Sequence, residues 1–520
     1  MRVGIIFVFV DYHRKGAHHR GVLQPQIGPL IAALLPAQAH IEVINDTWDD
    51  PDWSRDYDLL FIAGMHSDFD RARQISHYWR RRGAKTVYGG TMASTYPQLC
   101  QAYFDAIVIG DPEGSVPQLY RDFCRGELQP RYVSGPYDPS AVPTPRFDLT
   151  AQQQLLPLGL EATRGCPFAC EFCALTGLGT RHHTRPVASV VRDVLEGTRM
   201  LRDSTAWHRR QMLVFYDNNI GGNLGYLREL AAALQPLNLR WGSSITFNAI
   251  ANAPLIATLA RSGCRFLYVG LESFNALALT DMRKHQNVIH KTRQAIRHCH
   301  DHGILLQSGL MLSPALDDSA YIRSVPRHLE ECGLHVPSYI CFETPIPGTP
   351  HFHRLANQSE PAFLPDALLR DFNTYTLVVR PRRESLEHFV SEYRWLLQQA
   401  YSRRARLAKC ARDAASLLPH GGYFAWLLDL LDQWEAAWHP HPQRTYIAGT
   451  DVPPPESVPL TSADFDSAEQ YRAIMEPWRV SDGNGRVLPM WRDSLQVFKP
   501  KGEISQRALN RPGIPGDSIS

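Results

Sequence analysis

The chain contains no apolar run of the roughly 18 residues that a membrane span needs. Charge of one sign is not in excess either. Lys+Arg number 54 against Asp+Glu 52, a formal net charge of +2. That balance gives no electrostatic ground for a nucleic acid or an anionic membrane as partner. Cysteine is sparse, ten in 520 residues, and the one cysteine cluster has no second C-x2-C pair to complete a four-thiolate zinc site. The opening VGIIFVFV is followed by DYHRKGAHHRG rather than by a small-residue cleavage site, so it reads as a buried strand and not as a signal peptide. The expectation is a cytoplasmic protein, where disulfides are rare and clustered cysteines point to metal or catalysis. No internal sequence repeat is visible.

What is present is the patterning of an ordinary globular chain, 44% hydrophobic and 20% charged. Over residues 1–140, short apolar strands (RVGIIFVFV, HIEVIND, YDLLFIAGM, KTVYGG, FDAIVIGD) alternate with helical stretches such as PQIGPLIAALLPA and DRARQISHYWRRRGA. This is the pattern of an α/β, doubly wound parallel sheet, whose ligands bind at the carboxyl ends of the strands. Residues 141–155 read as a linker, entered through the proline-rich SGPYDPSAVPTPRFD of residues 134–148. Residues 156–360 carry six further strand–helix repeats (LPLGLEAT, QMLVFYDN, LRWGSSITFNA, CRFLYVGLES, ILLQSGLMLS, SYICFETPI), which predict a complete or partial βα barrel. Residues 361–436 are mainly helical, and residues 437–520 form a proline-rich extension that is in part disordered.

The stretch RGCPFACEFC places Cys166, Cys170 and Cys173 at spacing C-x3-C-x2-C. Three thiolates leave a tetrahedral zinc site one ligand short, unless His182 or His183 supplies the fourth. The alternative is a [4Fe–4S] cluster held by three cysteines, which leaves one iron open for a substrate. His298 and His302 stand at i, i+4 on one helix but show no third ligand. Tyr393, Trp395 and Tyr401 fit a helical core or a substrate cage.

C-x3-C-x-aromatic-C after the first strand of a six-fold βα run resembles the signature of radical S-adenosylmethionine (SAM) enzymes. The resemblance implies that Cys166, Cys170 and Cys173 bind a [4Fe–4S] cluster whose open iron chelates SAM. An electron from the cluster then cleaves SAM to a 5′-deoxyadenosyl radical. It implies SAM contacts from Phe172 in the aromatic slot, from Asp217 and Asn218 in FYDNNIGGN, and from Glu272 in YVGLES. The family's glycine-glycine-acid motif is not literal here, since Gly221-Gly222-Asn223 lies several residues on.

A doubly wound domain ahead of such a core resembles the cobalamin-binding radical SAM class, and the likeness runs from residue 1 to about 405. Within that class it is to hopanoid methylases and to the anaerobic oxidative cyclase of bacteriochlorophyll synthesis. By that likeness Ala63, Gly64, Gly89, Gly90, Thr91 and Gly110 line a corrin and its nucleotide tail. DYHRKG, Asp11 to Gly16, matches D-x-H-x-x-G and makes His13 a candidate cobalt ligand. The implied cofactors are a [4Fe–4S] cluster, SAM and cobalamin, and the implied electron donor is a flavodoxin or ferredoxin. The implied activity is radical C-methylation of a small natural-product or lipid-like molecule. Non-methylating oxidation, cyclisation or rearrangement is the alternative. An iron–sulfur electron carrier and a front domain that acts only as a docking module stand behind these.

Overall fold

The computed structural model describes residues 1–8, 26–46, 50–152, 156–206, 210–438, 446–450 and 458–495. Six strands form the front sheet: β1 (Arg2–Phe7), β2 (His40–Asn45), β3 (Leu59–Gly64), β4 (Lys85–Gly90), β5 (Ala106–Ile109) and β6 (Arg131–Val133). All are parallel, in the order β2-β1-β3-β4-β5-β6. The chain steps out to β2 and returns past β1 to β3. That reversal is the switch point at which doubly wound sheets open a ligand crevice at their carboxyl ends. Alternation along the strands sends Val3, Ile5, Leu59 and Phe61 to one face, under the helices Ile27–Ala33 and Val116–Arg125. Ile6, Leu60 and Ile62 go to the other face, under the helix Phe69–Arg80. That second face belongs to a core that runs on into the rest of the molecule.

A second parallel sheet follows: β7 (Leu158–Leu160), then, after a two-stranded ribbon of β8 (Thr163–Arg164) and β9 (His183–Thr184), β10 (Met212–Phe215), β11 (Arg240–Ile245), β12 (Cys264–Glu272), β13 (Leu305–Leu312) and β14 (Tyr339–Phe342). The order β14-β13-β12-β11-β10-β7 is sequential, and the end strands β7 and β14 do not pair with each other. This is the partial βα barrel expected from the six repeats. Outward side chains on β12, such as Leu267 and Val269, are fully buried beneath helices. Inward ones, such as Phe266 and Tyr268, are half-buried.

The C-terminal helices Leu386–Ala400, Arg403–Leu417 and Tyr423–Trp438 come next; Ser385 and Ser402 cap the first two. Pro361, Pro365 and Pro381 keep the lead-in at 361–385 largely non-helical. Leu417 and Ala425 pack on Leu305 and Phe266 and close the amino ends of the barrel strands, opposite the cysteine loop. Residues 458–495, which show little periodicity in sequence, return to the front sheet. Arg73, fully buried, donates to the carbonyls of Ala473 and Glu476. The Tyr96 hydroxyl donates to the carbonyl of Trp491 at 3.0 Å. Among the described residues no helix is long and apolar enough to cross a membrane.

Candidate active site: the cysteine loop and the facing edge of the front sheet

Residues 165–182 loop out between β8 and β9, whose pairing (Thr163 with Thr184, Arg164 with His183) pins the base of the loop. Gly165 makes this closure possible. Its φ is +81°, and a Cβ there would lie 2.1 Å from the carbonyl oxygen of Arg181. Cys173 turns back on Cys170 through a 3.2 Å backbone hydrogen bond and leads into the short helix Ala174–Gly177. The loop is clamped from two sides. The Glu171 backbone N–H donates to the carbonyl of Met282, and its carboxylate meets Arg283 at 3.0 Å and Arg354 at 2.9 Å.

The three cysteines are free thiols. Burial pushes the Cys173 thiol up to about 11, and the neighbouring Cys170 and Cys166 raise it too. Burial also raises Cys170, against the opposing charge of Lys284. Metal binding needs thiolates, so loading the loop must release protons. Cys166 accepts a hydrogen bond from Asn219 Nδ2 at 3.6 Å, and Cys170 accepts one from Gln286 Nε2 at 3.7 Å. Among the described residues no group of three His, Cys, Asp or Glu side chains is placed to hold a single metal ion. The His182 ring lies against Gly222, and that of His183 against Tyr137. The helix that carries His298 ends at His300, so His302 lies in the turn beyond it, where its Nδ1 contacts the carbonyl of His298. A donor set of three thiols in one loop suits a cluster, in which each cysteine takes a separate iron.

The residues expected around SAM fall into different settings. Phe172 packs with Ala278, Met282, Met311 and Cys341 near the carboxyl ends of the strands, and the Lys284 ammonium lies 5.7 Å from its ring centroid. Glu272 ends β12 in the left-handed region, φ +64°, and pairs with Lys284 at 2.6 Å. Burial works against the charge on Lys284, but Glu272 outweighs it and holds the ammonium pKa above its usual value. Asp217 is fully committed to the backbone of the first strand: it accepts from the N–H groups of Ala162 and Thr163 at 2.9 and 2.7 Å and from the Thr163 hydroxyl. Asn218 is exposed. Its neighbour Asn219, fully buried, is the one that reaches the cysteines. Sequence reasoning missed Asn219, Gln286 and Lys284, which lie in turns outside the strands, where periodicity gives no signal.

On the front sheet, the β3–β4 ladder sets Ala63 beside Gly89 and Gly64 beside Gly90 at its carboxyl edge. Gly90 has φ +121°, and a Cβ on it would lie 2.5 Å from the Gly64 carbonyl oxygen. Thr91 follows directly, and Gly110, just past β5, has φ +90°. His13 lies outside the described residues. The front sheet and the cysteine loop are tied together by Arg164, two residues before Cys166. Its guanidinium meets Asp111 at 2.8 Å and Glu113 at 2.9 Å, just beyond β5, and Glu161 at 2.5 Å. Tyr137 stacks over it at 4.3 Å.

Residues 160–323 match the Radical SAM superfamily. The chain carries a radical SAM domain. It is therefore a radical SAM enzyme, of the class that uses a [4Fe–4S] cluster and SAM. Bacteriochlorophyllide d C-8(2)-methyltransferase of Chlorobaculum tepidum is 24% identical over 72% of this chain and 87% of its own length. The hopanoid C-2 methylase of Rhodopseudomonas palustris is also 24% identical, over 65% of each chain. Among solved structures, the radical SAM methyltransferase TsrM of Kitasatospora setae, with cobalamin and a [4Fe-4S] cluster bound, superposes with a TM-score of 0.53. It is 18% identical and covers 71% of this chain and 76% of that one, a likeness of fold. In the radical SAM domain, the Arg164 network joins the start of the cysteine motif to the front sheet.

Proposed function

We propose that this enzyme transfers a methyl group from cobalamin to a carbon of a small natural-product or lipid-like molecule, in the cytoplasm, with a flavodoxin or ferredoxin as electron donor. The observation that carries the reading is Arg164: one guanidinium joins the residues beyond β5 to the strand that starts the cysteine motif. Two cofactor edges are thus held against each other. The front edge suits a large flat ligand. Close-packed glycines at 64 and 90 bring backbone to the surface, Met65 is exposed, and the amide of Gln26 is buried without a partner. Relatives named as methyltransferases of bacteriochlorophyllide and hopanoid substrates support both the chemistry and the substrate class.

Bound there, the cluster supplies the electron that cleaves SAM and cobalamin supplies the methyl group. The chain's own residues bind and orient. Cys166, Cys170 and Cys173 hold the cluster, with Asn219 and Gln286 donating to two of the sulfurs. Phe172 and the Glu272–Lys284 pair offer an apolar face and a charged rim for SAM. The half-buried barrel interior, where the hydroxyls of Tyr268 and Tyr339 meet, takes the substrate. We assign residues 1–140 to the cobalamin-binding unit and 156–360 to the barrel.

The test is anaerobic reconstitution with iron, sulfide and cobalamin, followed by reduction in the presence of SAM. The expected products are 5′-deoxyadenosine and S-adenosylhomocysteine together. 5′-Deoxyadenosine alone, with cobalamin bound, would replace methyl transfer with a non-methylating radical reaction.

A further inference from the structure

His66 follows β3 by two residues, at the carboxyl edge of the front sheet and beside its switch point. It is 4% exposed. Its Nδ1 is 3.1 Å from the hydroxyl of Thr91 at the end of β4, and its Nε2 is buried with no hydrogen-bond partner. Tyr96 meets the ring edge-on, 6.3 Å between centroids. A buried polar atom left unmatched costs free energy, and such atoms are few in folded proteins. A histidine with one nitrogen held by a hydroxyl and the other unspent is arranged as metal-binding histidines are.

The same edge holds the Gln26 amide, also buried without partners. The Asp68 carboxylate accepts the Met65 N–H at 2.9 Å and so fixes the turn that carries His66. A Cβ on Gly64 would lie 3.3 Å from the carbonyl oxygen of Val8, so β1 and β3 approach closely where the ligand crevice opens. A buried metal ligand among corrin-facing residues gives these features one purpose.

We propose that His66 Nε2 is the axial nitrogen that the front sheet offers to cobalt, with Thr91 as the positioning residue that fixes the ring. This rests on the cobalamin reading above. His13 is the competing donor.

The test uses the full chain made with nitrogen-15 histidine, loaded with unlabelled cobalamin and reduced to Co(II). In the electron paramagnetic resonance spectrum, an axial nitrogen-14 splits each parallel cobalt line into a triplet and nitrogen-15 into a doublet. The expected result is a doublet with labelled and a triplet with unlabelled histidine. The doublet is lost in His66→Ala and His66→Gln, and kept in His13→Ala. Thr91→Val should retain cobalamin with a broadened or weakened splitting. A triplet that persists under labelling would assign the nitrogen to the cofactor's own tail. Absence of splitting, or a doublet that survives His66→Ala, would equally overturn the proposal. Should His66→Ala fail to fold, the labelled unmutated chain still shows whether the donor is a histidine, and His66→Gln and His13→Ala show which one. Failure to retain cobalamin at all removes the parent reading as well, whereas retention without nitrogen splitting removes only this one.

Discussion

Asn219 spans from the cysteine loop to the next strand: its Nδ2 donates to Cys166 at 3.6 Å, while its Oδ1 accepts from the Thr246 hydroxyl at 3.1 Å. The amide is thereby oriented, and its N–H is aimed at sulfur. Outer partners of metal ligands typically change affinity or activity about 10–100-fold when removed. Asn219→Ala should retain iron but cleave SAM roughly ten-fold or more slowly, measured as 5′-deoxyadenosine formed per cluster. An unchanged rate would reduce Asn219 to a packing role.

Each of Cys166→Ala, Cys170→Ala and Cys173→Ala should abolish iron retention and SAM cleavage while leaving the fold intact, since the loop is held at its base by the β8–β9 pairing and by Glu171. Iron analysis and far-ultraviolet circular dichroism read the two halves of this statement. A variant that keeps a full complement of iron and activity would remove that cysteine from the ligand set.

Arg164→Met should be strongly destabilising. It strands Glu113 and Glu161, whose side chains are 7% and 17% exposed. Breaking a buried ion pair from one side costs about 3–5 kcal/mol. Replacing the carboxylates together with the arginine (Arg164→Met, Glu113→Gln, Glu161→Gln) should recover a large part of that loss. Urea midpoints followed by tryptophan fluorescence compare the two. Equal midpoints for wild type and Arg164→Met would contradict the network's role.

Glu343, just past β14, has its Oε1 buried without a hydrogen-bond partner, 3.6 Å from the His351 Nδ1. Burial raises its carboxyl from the ordinary 4.5 to about 7 and lowers His351 to about 3, so between those values both groups are neutral. The folded state therefore binds the proton more tightly than the unfolded chain does. The corresponding stability is present in full below the unfolded value and is lost as pH rises through about 7, in total about 3 kcal/mol. Glu343→Gln should remove that slope. The difference between wild-type and variant stability, followed from pH 4 to about 8, checks it; parallel curves would contradict it.

The motif RGCPFACEFC and the strand–helix alternation were legible because each is local: one is a spacing of eight residues, the other a period of two or 3.6. The partners of the cysteines were not. Asn219 stands 53 residues from Cys166, and Gln286 stands 116 from Cys170. Only the return of successive strands to one barrel mouth brings them together. In DNN, three polar residues in a row offer the same chemistry to the eye; the first and third are both buried, and only the third reaches a cysteine. Asp217 resembled a cofactor contact by its place after a strand, yet its oxygens serve the backbone of Ala162 and Thr163. The returning segment 458–495 was illegible for another reason: its order comes from contacts with the front sheet, such as Trp478 against Phe69 at 4.9 Å, and not from any periodicity of its own.

Arg73 also sets a schedule for synthesis. The carbonyls that close its guanidinium lie 400 residues downstream, so a ribosome working at the usual pace exposes this helix for roughly 20–80 s before its cover emerges. The first module to leave the exit tunnel is thus among the last to be finished, and a nascent chain stalled short of residue 458 should stay open to trypsin at Arg80 and Arg81 when the cysteine loop has already formed.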